Sequence, residues 1–328
     1  MQQQVYAPKV LQAVFGALAD TYLYWFVARY SERLARLTLV CTELSWFIFY
    51  CGVRTFSNTM EAQLCVIALY YWTANREAST RRDAHNRIVA SLLSALAFVM
   101  RPTAAIFLAP LVLLHLYWTL SHALEQQRRP QQQKRQQKGQ VSWKPVVSQL
   151  AAAVVLQMAL PVLAVVGVAT AVDTVFASTG SVTLVPLNFA LHNVVHSVAD
   201  FYGTHPWHWY ATAGFPLMLG SFVLLLVLGL AAPRARWGGL PRGLLLVLCA
   251  WPLTAYSLLA HKEFRFVLTS LYVAMPVCAV GLSLLCDRPA HTCALIARRA
   301  LLVVVVVAQL AFAALFGLVY QRGPVAVM

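Results

Sequence analysis

The sequence predicts an all-α polytopic membrane protein of about ten helices. Three observations predict it. Of 328 residues, 60% are hydrophobic and 11% charged, against roughly a quarter charged and about half apolar in a soluble domain; mean hydropathy is +0.67. The apolar residues gather into runs of membrane-crossing length. The cations between those runs are unevenly shared between alternate connections. Soluble, fibrous and disordered classes are excluded. A net charge of +14 would suggest nucleic acid in a soluble chain; here it reports membrane orientation, and no nucleic-acid partner is expected.

A spanning helix needs about 20 mostly apolar residues. Ten runs qualify: 9–30, 37–53, 62–74, 88–100, 103–122, 147–172, 214–231, 243–260, 267–285 and 300–319. The third and fourth are short, as broken or re-entrant helices are where protein surrounds them. Segment 125–145 is Gln-rich and basic, a composition that buries too little apolar surface to fold alone. It divides the chain into a first bundle half, 1–124, and a second, 146–328, which carries a long connection at 173–213.

One set of connections holds 19 of the 25 cations: Arg29, Arg33, Arg36, Arg76, Arg81, Arg82, Arg87, Arg128, Arg129, Lys134, Arg135, Lys138, Lys144, Arg234, Arg236, Arg242, Arg288, Arg298 and Arg299. The other set holds Lys9, Arg54, Arg101, Lys262, Arg265 and Arg322. The positive-inside rule assigns the first set to the cytosol. The opposite face carries five of nine histidines (His192, His196, His205, His208 and His261). Ionisable groups gathered at helix ends on one face read as a functional site.

HKEFRF (His261 to Phe266) places two cations and a carboxylate just before an apolar run. At helical spacing Lys262 and Arg265 share a face, and such a pair suits a lipid-borne phosphate. Glu263 is placed to orient a cation or accept a proton. FYGTHPWHWY (Phe201 to Tyr210) surrounds one proline with aromatics and histidines. Of these, His205, Trp207, His208 and Trp209 present ring faces and polar tips to a sugar. Arg54 and Arg101 sit at helix ends facing the same side, and Asn58 and Glu61 follow Arg54 on one helical face. Each cluster also fits the plainer role of an interfacial anchor. Together they are expected around one cavity. Asp20 and Glu43 lie within apolar runs, where a carboxylate needs a partner. The seven cysteines form no CxxC; no disulfide framework, metal or cofactor is expected.

HKEFRF resembles the HKE-x-RF signature of glycosyltransferase family 22, endoplasmic-reticulum mannosyltransferases of the GT-C fold. FYGTHPWHWY with the following GFP (Gly214 to Pro216), RTFSNTMEAQLCVIALYYW and the terminal QRGPVAVM are similar to the GPI-anchor branch of that family. The resemblance implies a multi-pass enzyme with its active side luminal. It implies dolichyl-phosphate-mannose as donor and a GPI-precursor glycolipid as acceptor, with the third mannose added in α1,2 linkage. It implies an inverting displacement, with Lys262 and Arg265 on the leaving phosphate, His261 and Glu263 supporting, and Arg54 and Arg101 as further contacts. Family members carry an acidic pair in a large first luminal loop. The segment PKVLQAVFGALAD resembles the stretch after that loop, so the chain is expected to be truncated at both ends. Glu263 is then the candidate base within it. The alternatives are an N-glycan-pathway mannosyltransferase of the same family and a non-catalytic lipid-binding or transporter-like protein.

Overall fold

The computed structural model describes residues 2–52, 54–74, 81–133, 143–177, 181–192, 198, 201, 203–287 and 292–320. His196, residues 134–142 of the basic linker and the terminal QRGPVAVM lie outside them. The described residues are mostly helical, with no strand among them. In chain order the helices are α1 (Gln2–Ala28), α2 (Glu32–Leu44), α3 (Trp46–Gly52), α4 (Ser57–Trp72), α5 (Arg81–Met100), α6 (Ala104–Gln133) and α7 (Trp143–Val154). The chain continues with α8 (Leu160–Ala177), α9 (Val185–Ala190), α10 (Phe215–Leu219), α11 (Phe222–Ala231), α12 (Arg242–Ser257), α13 (Leu268–Cys286) and α14 (Thr292–Ala314). Two compact units are formed, one from residues 1–66 and 198–328, the other from 67–197.

Among the described residues, five helices are long and apolar enough to cross a membrane: Ala7–Ala28, Ala104–Glu125, Val146–Ala177, Phe264–Cys286 and Leu295–Leu318. Two bent pairs raise this to seven if each is one span: α2 with α3, turned by 68°, and Tyr210–Leu219 with α11, turned by 109°. The ten apolar runs therefore do not all become straight spans. The breaks fall in the second and seventh runs rather than the third and fourth. Hydropathy finds an apolar run but is silent on whether the backbone bends within it. Helix α6 also continues through the first part of the Gln-rich segment, to Gln133, because Leu, Glu, Gln and Arg are good helix formers.

The first unit is organised around α13. Its membrane-length window is 94% buried, and α2, α11 and α12 pack against it. A helix apolar on every side suits a position enclosed by protein or lipid; α13 takes the first. The α11–α13 crossing is a backbone contact. A Cβ on Gly229 would lie 2.1 Å from the Val277 carbonyl oxygen, and one on Gly281 would lie 2.0 Å from that of Leu225. Small residues let helices approach this closely where apolar burial alone gives little drive to associate. Helix α14 is the opposite case, with 11% of its window buried and Val303, Val304, Val307 and Leu310 exposed, the surface expected against lipid tails. Of the two intramembrane carboxylates, Glu43 is exposed, and Asp20 Oδ1 is buried with no hydrogen-bond partner.

The ends of α13 differ in charge. HKEFRF leads into its first turn. At its far end Asp287 takes hydrogen bonds from Arg33 (2.7 Å) and Arg236, and its carbonyl accepts one from Arg298 (2.9 Å). Nineteen residues of helix span about 28 Å, close to the thickness of a bilayer core. Members of the two cation sets thus lie at opposite ends of this helix.

In the second unit, α5 packs on α8 and α6 on α7. Trp72 Nε1 donates to Ser94 Oγ (3.0 Å) and its ring meets His115 edge-on (5.1 Å). Arg87 bonds Gln157 in a wide π turn, Val155–Ala159.

The glycine crossing yields a test. Gly281→Ala gains about 1 kcal/mol of helix propensity, but overlap with a backbone oxygen forces the helices apart, an effect of about 1–3 kcal/mol. The variant is expected to melt below the wild type in detergent. A melting temperature at or above the wild-type value would show that the helices are not in backbone contact.

Candidate functional site at the head of α13

The segment entering α13 is not helical where it carries its charges. Glu263 is extended (φ −127°, ψ 150°), and a single 3₁₀ turn, Phe264–Val267, precedes α13. Lys262 and Arg265 therefore do not share a helical face. The Lys262 side chain turns inward and is 4% exposed. Its Nζ donates to the carbonyls of His205 (2.9 Å) and Leu259. Leu259 lies two residues past α12, so the ammonium takes up a carbonyl left over at that helix end. Burial lowers the Lys262 pKa.

Three further bonds tie residues 203–210 to 260–263. His205 N–H donates to the Ala260 carbonyl (3.0 Å), His261 Nδ1 to that of Gly203 (2.8 Å) and the Tyr210 hydroxyl to that of Glu263 (2.8 Å). The two motifs singled out in the sequence thus form one substructure. Across it runs a carboxylate relay: His261 Nε2 lies 3.2 Å from Glu263 Oε1, and Arg265 donates to Glu263 Oε2 from Nε (3.0 Å) and from Nη2. Burial alone would raise the Glu263 pKa. The hydrogen bonds and charges of Arg265, then those of His261, outweigh it and hold the carboxyl below its ordinary range.

Lys262, Glu263 and Arg265 line a cleft of about 460 Å³ with Phe47, Tyr50, Phe56, His205, Trp209 and Phe264, while His261 stands behind Glu263 outside the lining. One wall is aromatic and comes from α3. The other is the His205–Trp209 stack, with centroids 4.4 Å apart and rings 17° from parallel. Pro206 opens the turn that produces it: Trp209 N–H bonds the Pro206 carbonyl (3.0 Å) and the chain then winds into a π turn, Tyr210–Gly214. The wider turn brings Gly214 beneath the Trp209 ring, where a Cβ would stand 2.7 Å from Cζ3. The Arg265 guanidinium lies over Phe56, 4.8 Å from its centroid.

The remaining expected residues divide. Arg54 reaches the rim through Tyr50, donating from Nε to its carbonyl (3.0 Å) with its guanidinium 4.1 Å from the ring centroid. Trp207 is 74% exposed and meets His208 edge-on; His208 faces Thr212 at 3.3 Å. Neither lines the cleft. Asn58 and Glu61 are buried within α4 rather than forming a cleft wall. Arg101 belongs to the other unit, where it meets Thr103 and the Phe189 ring. Phe47, Tyr50, Phe56 and Phe264 were missed as site residues. Their signal was aromatic density in WFIFY and beside each arginine, which reads equally as core. Among the described residues no three His, Cys, Asp or Glu side chains are grouped to hold a metal. The cleft offers instead a cation, a buffered carboxylate and aromatic faces, a set suited to an anionic group joined to a sugar or an isoprenoid.

The relay sets a pH response. A carboxyl held low contributes stability that is complete above its unfolded value, about 4.3, and is lost as pH falls through the folded one. The resistance of the purified protein to unfolding by denaturant is expected to lose this contribution as pH falls below about 4. Glu263→Gln removes that component. An acid transition of equal size in the variant would show that Glu263 does not set it.

Comparison with known proteins gives the family of the chain. The GPI alpha-1,2-mannosyltransferase 3 of Bos taurus is 33% identical over 330 residues, covering 99% of this chain and 51% of the bovine protein. That of Homo sapiens is 34% identical, covering 100% and 50%. The GPI mannosyltransferase 3 of Drosophila melanogaster is 29% identical, covering 99% and 50%. The chain thus spans about half the length of the curated relatives it matches. No solved structure matches it. The Alg9-like mannosyltransferase family matches residues 1–328 in full, and the chain belongs to that family.

Proposed function

We propose that this chain carries the donor-phosphate cleft of an endoplasmic-reticulum mannosyltransferase that adds an α1,2-linked third mannose to the GPI precursor. The donor is dolichyl-phosphate-mannose, and the cleft opens to the lumen. The observation that carries the reading is Arg265, held on Glu263 and facing an aromatic cleft at the cation-poor end of α13. The names of the relatives support the reaction and the acceptor.

In this reading Arg265 stabilises the charge that grows on the phosphate as the glycosyl–oxygen bond breaks. Its partner Glu263 fixes the guanidinium before substrate arrives, so little reorganisation is needed. Both Glu263 oxygens are engaged and its pKa is lowered. It is therefore a positioning residue, and the acceptor hydroxyl loses its proton to another carboxylate. Lys262 joins the two cleft segments from within. Trp209 and His205 offer a ring face to the sugar, and Tyr50, Phe47 and Phe264 an apolar wall to the isoprenoid. Arg54 adds positive potential at the rim. Trp207 and His208 are exposed beside the mouth, at the level where membrane-interface aromatics sit.

Cells lacking the third GPI mannose test the activity. Expression of the protein that carries this sequence is expected to restore GPI-anchored proteins to the surface. Arg265→Ala should reduce transfer by roughly a hundredfold, the effect of losing one preorganised transition-state donor. Near-normal transfer by that variant would remove Arg265 from the chemistry. Rescue of N-glycan assembly instead would overturn the choice of acceptor.

Orientation is tested separately. A glycosylation acceptor inserted within 173–213 is expected to be modified, and one within 125–140 to stay bare. The reverse pattern would invert the topology.

A further inference from the structure

Two breaks on different parts of the chain meet one side chain. Helix α2 ends at Leu44 and α3 begins at Trp46; α10 ends at Leu219, and Gly220 (φ +56°) turns the chain into α11. Each break leaves backbone groups without a helical partner, in surroundings where water cannot supply one. Gln309, in the last third of α14 and 0% exposed, serves both. Its Oε1 accepts from the Trp46 N–H (3.0 Å), and its Nε2 donates to the Leu219 carbonyl (2.7 Å). One break needs an acceptor and the other a donor. A neutral side-chain amide offers both at fixed separation.

The surroundings hold the amide in that role. Trp46 Nε1 donates to the Leu217 carbonyl (3.2 Å), joining the two breaks directly. The Trp46 ring stacks on Phe316, just beyond α14 (4.6 Å), and Ser221 Oγ donates to the Val305 carbonyl one turn before Gln309 (2.8 Å). The breaks aim the cleft walls. Helix α3 carries Phe47 and Tyr50, and α10 continues directly from the π turn that Trp209 heads.

We infer that Gln309 is a positioning residue for the cleft. It touches no cleft atom, but fixes the α3 wall against the Trp209 wall by holding both broken spans to α14. For its effect on transfer, this rests on the function proposed above; the clasp itself does not.

Gln309→Met keeps the volume and removes both hydrogen bonds. Hydrogen exchange in the purified protein is expected to quicken by roughly tenfold or more at both 45–52 and 215–222, with α13 unchanged. Ser221→Ala should quicken 215–222 alone. In the mannose-transfer assay Gln309→Met should raise the donor KM, because the walls lose their mutual register. A purely global destabilisation would lower the amount of active enzyme and leave KM unchanged. Quickening at only one break would overturn the shared clasp. Quickening at both with an unchanged donor KM would overturn the positioning role. Rapid exchange at both breaks in the wild type would defeat the clasp without any variant, which covers a Gln309→Met protein that does not fold. Absence of transfer by the wild type would sink the proposed function and leave the exchange result to decide the clasp.

Discussion

Every peptide group in an apolar surround must find a partner within the protein. That constraint decides where this chain is regular and where it is allowed not to be. Long stretches satisfy it by being helical. At each irregularity near the cleft, a side chain takes over. Gln309 supplies both breaks of the first unit, and Lys262 takes the leftover carbonyl beyond α12 together with one from the facing loop. A buried backbone group left alone costs about 1–3 kcal/mol, so two or three in one place would rival a domain's net stability of about 5–15 kcal/mol. Breaks in this unit therefore occur where polar reach exists, and the cleft is assembled from them.

The same constraint explains why two cations so close in sequence, Lys262 and Arg265, behave differently. Lys262 is compact and has three donors, which suits convergent carbonyls. Arg265 is planar and forked, and it takes the carboxylate of Glu263 by two nitrogens while its face lies on Phe56. Both cations line the cleft, Lys262 engaged by carbonyls and Arg265 by a carboxylate. The cluster at the far end of α13 uses similar parts to another end. Arg33 and Arg236, each about half exposed, meet Asp287 where water screens them. Such pairs contribute about 0–1 kcal/mol each. Their weight lies in orientation rather than in stability.

The fold class was legible because composition alone forbids a soluble globule, and the charge asymmetry was legible because arginines are counted without a structure. HKEFRF and the segment from His205 to Trp209 could be named for the same reason: polar residues stand out against an apolar background. Their joint construction could not. It depends on backbone carbonyls, and a sequence says nothing of which carbonyls a lysine will meet. The roles of Lys262 and Arg265 diverge because the chain is extended where helical spacing would have paired them. The aromatic wall was hidden for the opposite reason: Phe47 and Tyr50 look like any other apolar residues of a span. The breaks fall elsewhere than run length suggests because Ser45 and Gly220 are unremarkable in isolation, and the residue that completes them, Gln309, is far away in the chain.

Helix α13 is enclosed by protein along nearly its whole length, whereas α14 presents most of its surface outward. Bilayers differ in thickness, and a lipid-facing helix meets that difference by tilting, bending or deforming the membrane around it. α13 meets it only through its neighbours. Adaptation of this protein to a thinner or thicker membrane would therefore be written in the lengths and flanking residues of outer helices such as α14. The sequence of α13, and the distance it sets between the cleft and the Asp287 cluster, would stay the same.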